Sequence, residues 1–210
     1  MVVQEKPSKN SSKRKEKKKI KRNSLYEAAY ELFITKGINN TAIDDIVKRA
    51  GVAKGTFYLY FKDKYDIIDK IILKKSRGVL KEAISATENR KNHFNDFIEA
   101  MIFFIDYLIE YLKKNKMLLK LIHKNLSWGI YRKALLDADQ NEEMKKIVTA
   151  FVENINRNEN YDTEDIEKTL FIILELTSSI CYSAIILKEP DTIDNMKPIL
   201  FKTIRKIINK

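Results

Sequence analysis

Thr41-Ala-Ile-Asp-Asp-Ile-Val-Lys-Arg-Ala-Gly-Val-Ala-Lys-Gly-Thr-Phe-Tyr-Leu-Tyr-Phe-Lys-Asp-Lys64 is the stretch whose reading decides the fold. Thr41 is placed to cap a helix on which Ile43, Ile46, Val47 and Ala50 share one face. Gly51 supplies a turn. Val52 and Phe57 then point back at that face, and Phe61 closes a small core. A second short helix spans Ala53 to Tyr60, and it carries more polar and aromatic reach than a core helix needs. Asp63 caps the next helix, with Ile67, Ile68, Ile71 and Ile72 apolar. Two short helices about a glycine turn make a helix-turn-helix.

Upstream, Ser24 with Glu27 three residues on has the pattern of a capping box. It would open a helix with Leu25, Ala28, Ala29, Leu32 and Phe33 on one face, ended by Gly37. Downstream, Phe94 to Leu112 keeps helical spacing and is apolar nearly all round, as a central helix must be. Further helices are expected over 116–126, 127–136 and 141–156, then from Thr163 to about Lys188, where Pro190 stops the chain. A last helix carries Leu200, Ile204, Ile207 and Ile208, with Pro198 tolerated because it sits near the first turn. No internal repeat and no strand pattern stands out. The expectation is an all-α chain of about nine helices: a basic, unstructured tail over 1–20, a three-helix domain over 21–66, and a helical domain over 67–210.

The chain has 210 residues, is 44% apolar, and has only 5 Gly and 3 Pro, which suits helices with short connections. Its formal charge of +11 is unevenly placed. Residues 1–22 hold ten basic side chains against Glu5 and Glu16, a net +8, so the basicity belongs mostly to the tail. Such a tail suits a polyanion, phosphate backbone or anionic lipid, or is simply a solvated arm. The single cysteine, Cys181, reads as a buried small hydrophobe of a protein in a reducing compartment. The stretch from Leu170 to Leu187 is interrupted by Glu175, Thr177, Ser178, Ser179 and Ser183, and reads as a buried helix with no membrane insertion. A cytoplasmic location follows.

The second helix of the motif has the parts of a DNA-reading helix. Ala53 and Gly55 are small enough for close approach to the groove. Lys54 can donate to guanine O6 and N7, and Thr56 can bond a base or meet a thymine methyl. Tyr58, Tyr60 and Lys64 can reach phosphates, as can the hydroxyl and N–H groups of Thr41.

Ala28-Ala29-Tyr30-Glu31-Leu32-Phe33 with Lys36-Gly37, Thr41 and Ile46, then Ala50 to Phe61 and Lys64, resemble the N-terminal domain of the TetR family of bacterial transcriptional regulators. The resemblance covers about residues 20–70. It implies a repressor that binds a double-stranded operator palindrome as a homodimer and is released by a small-molecule effector. It implies that 67–210 is the effector-binding and dimerisation domain. It assigns Lys54, Gly55, Thr56 and Tyr58 to base or groove contacts, and Thr41, Tyr60 and Lys64 to phosphates. The chain departs from the family at Ala53, where many members have Ser, and at Tyr60, where His is frequent.

Phe103, Phe104, Tyr107, Tyr111, His123, Trp128, Tyr131 and Tyr182 are an unusual aromatic supply. They are either core or the lining of a pocket for a lipophilic or aromatic effector. Ser179 and Ser183, four apart, would permit close approach of a partner helix. With Ile204 and Ile208 of the final helix they are the candidate dimer face. His93 and His123 lack metal-ligand spacing, so no metal or cofactor is expected. No catalytic motif is present: no phosphate-binding glycine loop, no Gly-x-Ser-x-Gly, no His-Glu-x-x-His. The rival reading is a helical ligand-sequestering or membrane-surface protein that uses its Lys-rich tail.

Overall fold

The computed structural model describes residues 9–125, 149–150, 153 and 163–208. Among them are eight α-helices and no strand: α1 (Lys9–Lys36), α2 (Ile43–Ala50), α3 (Lys54–Tyr58), α4 (Lys64–Glu88), α5 (Phe97–Lys114), α6 (Lys116–Asn125), α7 (Thr163–Tyr182) and α8 (Ile193–Ile208). The chain divides into two compact units, Met1–Ile71 and Ile72–Lys210, with the boundary inside α4. The helices expected over 127–136 and 141–156 lie largely outside the described residues.

In the first unit, Leu25, Ala29, Ile46, Phe57, Ile67 and Ile71 are all but fully buried. Phe61 is buried too, and its ring meets Tyr26 edge-on at 5.1 Å and Phe57 at 5.4 Å. Short helices such as α2 and α3 would not hold in water alone, so this shared core stabilises them. Gly51 takes φ +65° after α2, and the N–H of Val52 then reaches the carbonyl of Val47 at 3.1 Å. Asp63 caps α4, accepting from the N–H groups of Tyr65 and Asp66, both at 2.8 Å.

Three local expectations are corrected. Residues 9–20, expected as an unstructured arm, lie within α1. Lys, Arg and Glu are strong helix formers, and extending an existing helix costs far less than nucleating one. Ser24 is therefore internal to α1 rather than its cap, and its hydroxyl donates to the carbonyl of Lys21 at 2.9 Å. The N-cap of α2 is Ala42, whose N–H is met by the Asp45 carboxylate at 3.3 Å, while Thr41 is turned inward.

In the second unit the core gathers Met101, Ile105 and Ile109 of α5 with Leu119 of α6, Leu170, Ile173 and Cys181 of α7, and Leu200 and Ile204 of α8. The apolar girth of α5 is explained by its contacts with α6, α7 and α8. Segment 168–187 is the one stretch of the described residues long and apolar enough to cross a bilayer, with a mean hydropathy of 2.0. It turns Leu170, Ile173, Cys181 and Ala184 into this core and leaves Glu175 and Ser179 exposed. After α7 the backbone widens into a π turn, Ser183–Leu187, and Lys188 ends it at φ +62°. Pro198 sits inside α8, just after the first turn that begins at Ile193. An ionic cluster ties α5 to α8. Lys197 contacts Glu110 and lies 2.6 Å from Asp106, and Lys113 lies 2.6 Å from Asp194.

Candidate nucleic-acid interface and effector pocket

On α3 the sequence alternates what it buries and what it shows. Phe57 is fully buried and anchors the helix. Lys54, Gly55, Tyr58 and Leu59 around it are exposed, and Thr56 and Tyr60 are half-buried. Ala53 is exposed at the N-cap, without a side-chain bond to the helix start. Gly55 has open space where a Cβ would stand, so the fold itself does not require a glycine there.

Lys54 pairs with Asp44 of α2 at 2.8 Å, and that hydrogen bond holds its ammonium above the usual lysine range. Both partners are exposed, so the pair is easily exchanged for another acceptor. It keeps Lys54 on the surface shared by α2 and α3. Arg49 of α2 contacts Glu31 of α1, and Lys36 lies 3.7 Å from Asp45, so three ion pairs fix α1, α2 and α3 on the polar side of their core.

Two of the expected phosphate contacts are otherwise engaged. Thr41 is 1% exposed, and its hydroxyl donates to the Gly37 carbonyl at 2.8 Å while its N–H donates to Ile38. No donor of Thr41 is left facing outward, so its phosphate role is dropped. Lys64 bends back, and its ammonium reaches the carbonyls of Ile38 at 3.0 Å, Asn39 at 3.4 Å and Thr41 at 3.5 Å. It closes the loop between α1 and α2 instead of standing free. Tyr60 keeps its ring 6.2 Å from Phe61, and its carbonyl accepts from Lys70.

Leu59 and Tyr65 were missed from the sequence. Leu59 is 79% exposed and Tyr65 55%, the first following Tyr58 at the C-cap of α3. In the sequence Leu59 stands between the aromatic residues Tyr58 and Tyr60. Only the end of α3 at Tyr58 turns it outward.

The candidate pocket aromatics of the second unit mostly lie apart from one another. Phe103 packs on Phe94 at 5.4 Å, under the guanidinium of Arg90. Tyr107 faces Glu82, and His123 stacks on Tyr182 at 3.9 Å. Tyr111 lies half-buried on α5 and lines neither cavity described next. Trp128 and Tyr131 fall outside the described residues. Among the described candidates, Phe104 lines both of those cavities. One, of about 220 Å³, has Ile84, Phe97, Met101, Leu170 and Leu174 in its wall and Thr87 and Glu88 at its polar side. The other, of about 120 Å³, adds Leu80, Leu108, Leu118 and Cys181. Both walls are mainly aliphatic, with Met101, Ile105, Leu108 and Ile109 of α5 in them and neither Tyr107 nor Tyr111.

The dimer candidates also separate. Ser179 is exposed and Ser183 half-buried, whereas Ile204 is fully buried in its own chain and Ile208 packs against that core. Ile204 is thereby withdrawn as an interface residue. Among the described residues, Ile172 of α7 and Ile199 of α8, 52% and 63% exposed, are the large apolar groups these helices show to solvent.

Residues 25–71 match the sequence profile of "Bacterial regulatory proteins, tetR family". The chain is 31% identical over 103 residues to the uncharacterized HTH-type transcriptional regulator YvdT of Bacillus subtilis (strain 168), covering 49% of this chain and 51% of YvdT. The chain thus spans about half the length of the curated relatives it matches. Its fold is shared with a putative tetR family transcription regulator from Shewanella sp. PV-4, at a TM-score of 0.63, 16% identity, and coverage of 88% and 95%. It is shared as well with the transcriptional regulator FadR from Bacillus subtilis, solved in complex with stearoyl-CoA, at a TM-score of 0.59, 18% identity, and coverage of 86% and 96%.

Proposed function

With residues 25–71 belonging to the tetR family of bacterial regulatory proteins, we propose that this protein is a ligand-responsive repressor that acts in the cytoplasm by binding DNA rather than by catalysis. The observation that carries the reading is the surface of α3, where Lys54, Gly55, Tyr58 and Leu59 stand exposed around a buried Phe57. Lys54 and Thr56 read base edges. Gly55 lets the backbone come close, Leu59 meets thymine methyls, and Tyr58 and Tyr60 hold the phosphate backbone.

The protein binds as a homodimer through α7 and α8, and the exposure of Ile172 and Ser179 on α7 and of Ile199 on α8 supports that choice of face. Two copies of α3 then engage successive major grooves, one helical turn or about 34 Å apart, at a palindromic operator. The effector is lipophilic and enters the aliphatic cavity between α5 and α7, where few polar groups would meet it. That FadR of Bacillus subtilis is solved with stearoyl-CoA supports an effector with a long apolar part. An effector that prefers the dimer with its reading heads wrongly spaced weakens operator binding by that differential affinity. Helix α4, which begins just after Asp63 and runs through the boundary between the units, is the lever.

Enrichment of a random duplex pool by the purified protein tests the reading. The expected product is one palindromic sequence with half-sites about ten base pairs apart or a multiple of it. Stearoyl-CoA or a flat aromatic hydrophobe should then release it. Failure to enrich any sequence over the starting pool refutes the DNA-reading role.

A further inference from the structure

We propose that the basic front of α1, residues 9–22, is a second nucleic-acid contact: a helical arm laid along the phosphates of the duplex that flanks the site read by α3. The proposal rests on the reading of α3 given above and extends the footprint beyond it.

Helix α1 runs without a break from Lys9 to Lys36, but its two halves differ in kind. From Leu25 onward it buries Ala28, Ala29, Leu32 and Phe33. From Lys13 to Arg22 every position is exposed, and no face packs on anything among the described residues. That exposed part carries Lys13, Arg14, Lys15, Lys17, Lys18, Lys19, Lys21 and Arg22 against a single acid, Glu16. Five pairs of like charge stand four residues apart: Lys13 with Lys17, Arg14 with Lys18, Lys15 with Lys19, Lys17 with Lys21, and Lys18 with Arg22. Pairs of that kind destabilise a helix in water, and no packed face offsets them here. A polyanion removes the repulsion, so binding and ordering of the arm reinforce each other.

The dimensions fit a duplex. Ten residues of helix span about 15 Å, and one strand of B-DNA presents roughly four phosphates over that length, one per ~3.4 Å. The arm is continuous with the helix that packs on α2, in the unit that holds α3. The same composition argues against a lipid surface. An interfacial helix needs an apolar face, and Ile20 is the only large apolar residue between Lys9 and Arg22.

The test compares the full chain with a variant carrying Lys13→Gln, Arg14→Gln, Lys15→Gln, Lys17→Gln, Lys18→Gln and Lys19→Gln. Glutamine keeps helix propensity, and all six sites are exposed, so the core is untouched. Dissociation constants are measured across a salt series, from low to above physiological KCl, on a duplex enriched by the parent and on a scrambled one of equal length. The salt slope should fall by about 3 to 4 per protomer, at ~0.9 for each phosphate that the variant leaves unneutralised. Preference for the enriched duplex should stay within about a factor of two, since phosphate contacts carry no sequence information. Amide exchange over residues 10–22 of the parent should slow markedly on adding duplex.

An unchanged slope overturns the proposal. So does loss of binding to phosphatidylserine-containing vesicles while the DNA slope stays as it was, which would make the arm a lipid contact. Unchanged exchange with a reduced slope overturns the ordered helix, leaving a flexible polycation. If the parent enriches no sequence, the reading of α3 fails, and the slope on the scrambled duplex still decides the arm.

Discussion

Lys64 reaches back to three carbonyls of the loop joining α1 and α2, at 3.0, 3.4 and 3.5 Å. A cation in that position neutralises a cluster of carbonyl oxygens, so its first role is to brace the reading unit. Lys64→Met should lower stability to urea by about 1 kcal/mol, near the usual worth of a hydrogen bond. Binding to enriched and scrambled duplex should fall together. A variant as stable as its parent but weaker on DNA would return Lys64 to the phosphate role its sequence position suggests. Thr41 and Cys181 show the same divide in opposite directions. Cys181 reads as a buried thiol and is one, with burial pushing its pKa up to about 12. Thr41 reads as an outward cap, but its hydroxyl turns inward to Gly37. A lone apolar-sized side chain on a hydrophobic face has one sensible place, whereas a hydroxyl at a helix start has several acceptors within reach. Sequence does not choose among them.

Two glycines of the helix-turn-helix serve different ends at the level of the element. Gly51 holds φ +65° between α2 and α3. An L side chain adopts that conformation at a cost of roughly 1 to 2 kcal/mol. Nothing lies within 4 Å of its missing Cβ, so that backbone term is the whole penalty. Gly51→Ala should therefore destabilise the fold by about 1 kcal/mol as read by urea unfolding. Gly55 is helical and equally uncrowded in the free chain. Gly55→Ala should leave stability unchanged or raise it by up to about 1 kcal/mol. It should nonetheless weaken operator binding strongly, because a methyl group then faces the groove. If G55A binds as tightly as the parent, α3 does not approach DNA at that residue. The elements themselves were legible: apolar spacing gives α2, α4 and α5, and Asp63 marks the start of α4. The front of α1 was not, because a run of charges looks the same whether solvated as coil or appended to a helix.

The second unit is held together by the ionic cluster across α5 and α8 as well as by its core. Burial pulls the Lys197 ammonium down, but its contacts with Asp106 and Glu110 outweigh that and leave it raised. The hydrogen bond from Lys197 holds Glu110 below the usual carboxylate range, and the one from Lys113 does the same for Asp194. A carboxylate whose folded pKa is depressed contributes fully above its unfolded value, about 4. That contribution is lost as pH falls through the folded value. The parent should therefore lose stability below about pH 4.5 more steeply than Lys197→Met does. At neutral pH the same variant should be less stable by about 1 to 2 kcal/mol, between the exposed and the buried limits for breaking an ion pair. Parallel stability curves for parent and variant from neutral pH down through the carboxylate range would show that the cluster contributes nothing on folding.

Sequence by itself determined the helical class, the helix-turn-helix and its buried Phe57 and Phe61. These depend on local spacing: apolar residues that recur along one helix face find their core wherever the helices meet. Tertiary structure alone decided which polar and aromatic side chains remain on offer. Asp44 positions Lys54, and the loop carbonyls engage Lys64. The packing of α5 on α7 leaves a mainly aliphatic cavity that takes in Phe104 but neither Tyr107 nor Tyr111. Those choices depend on partners distant in the chain, and a side chain able to bond in several ways takes the partner that folding brings within reach.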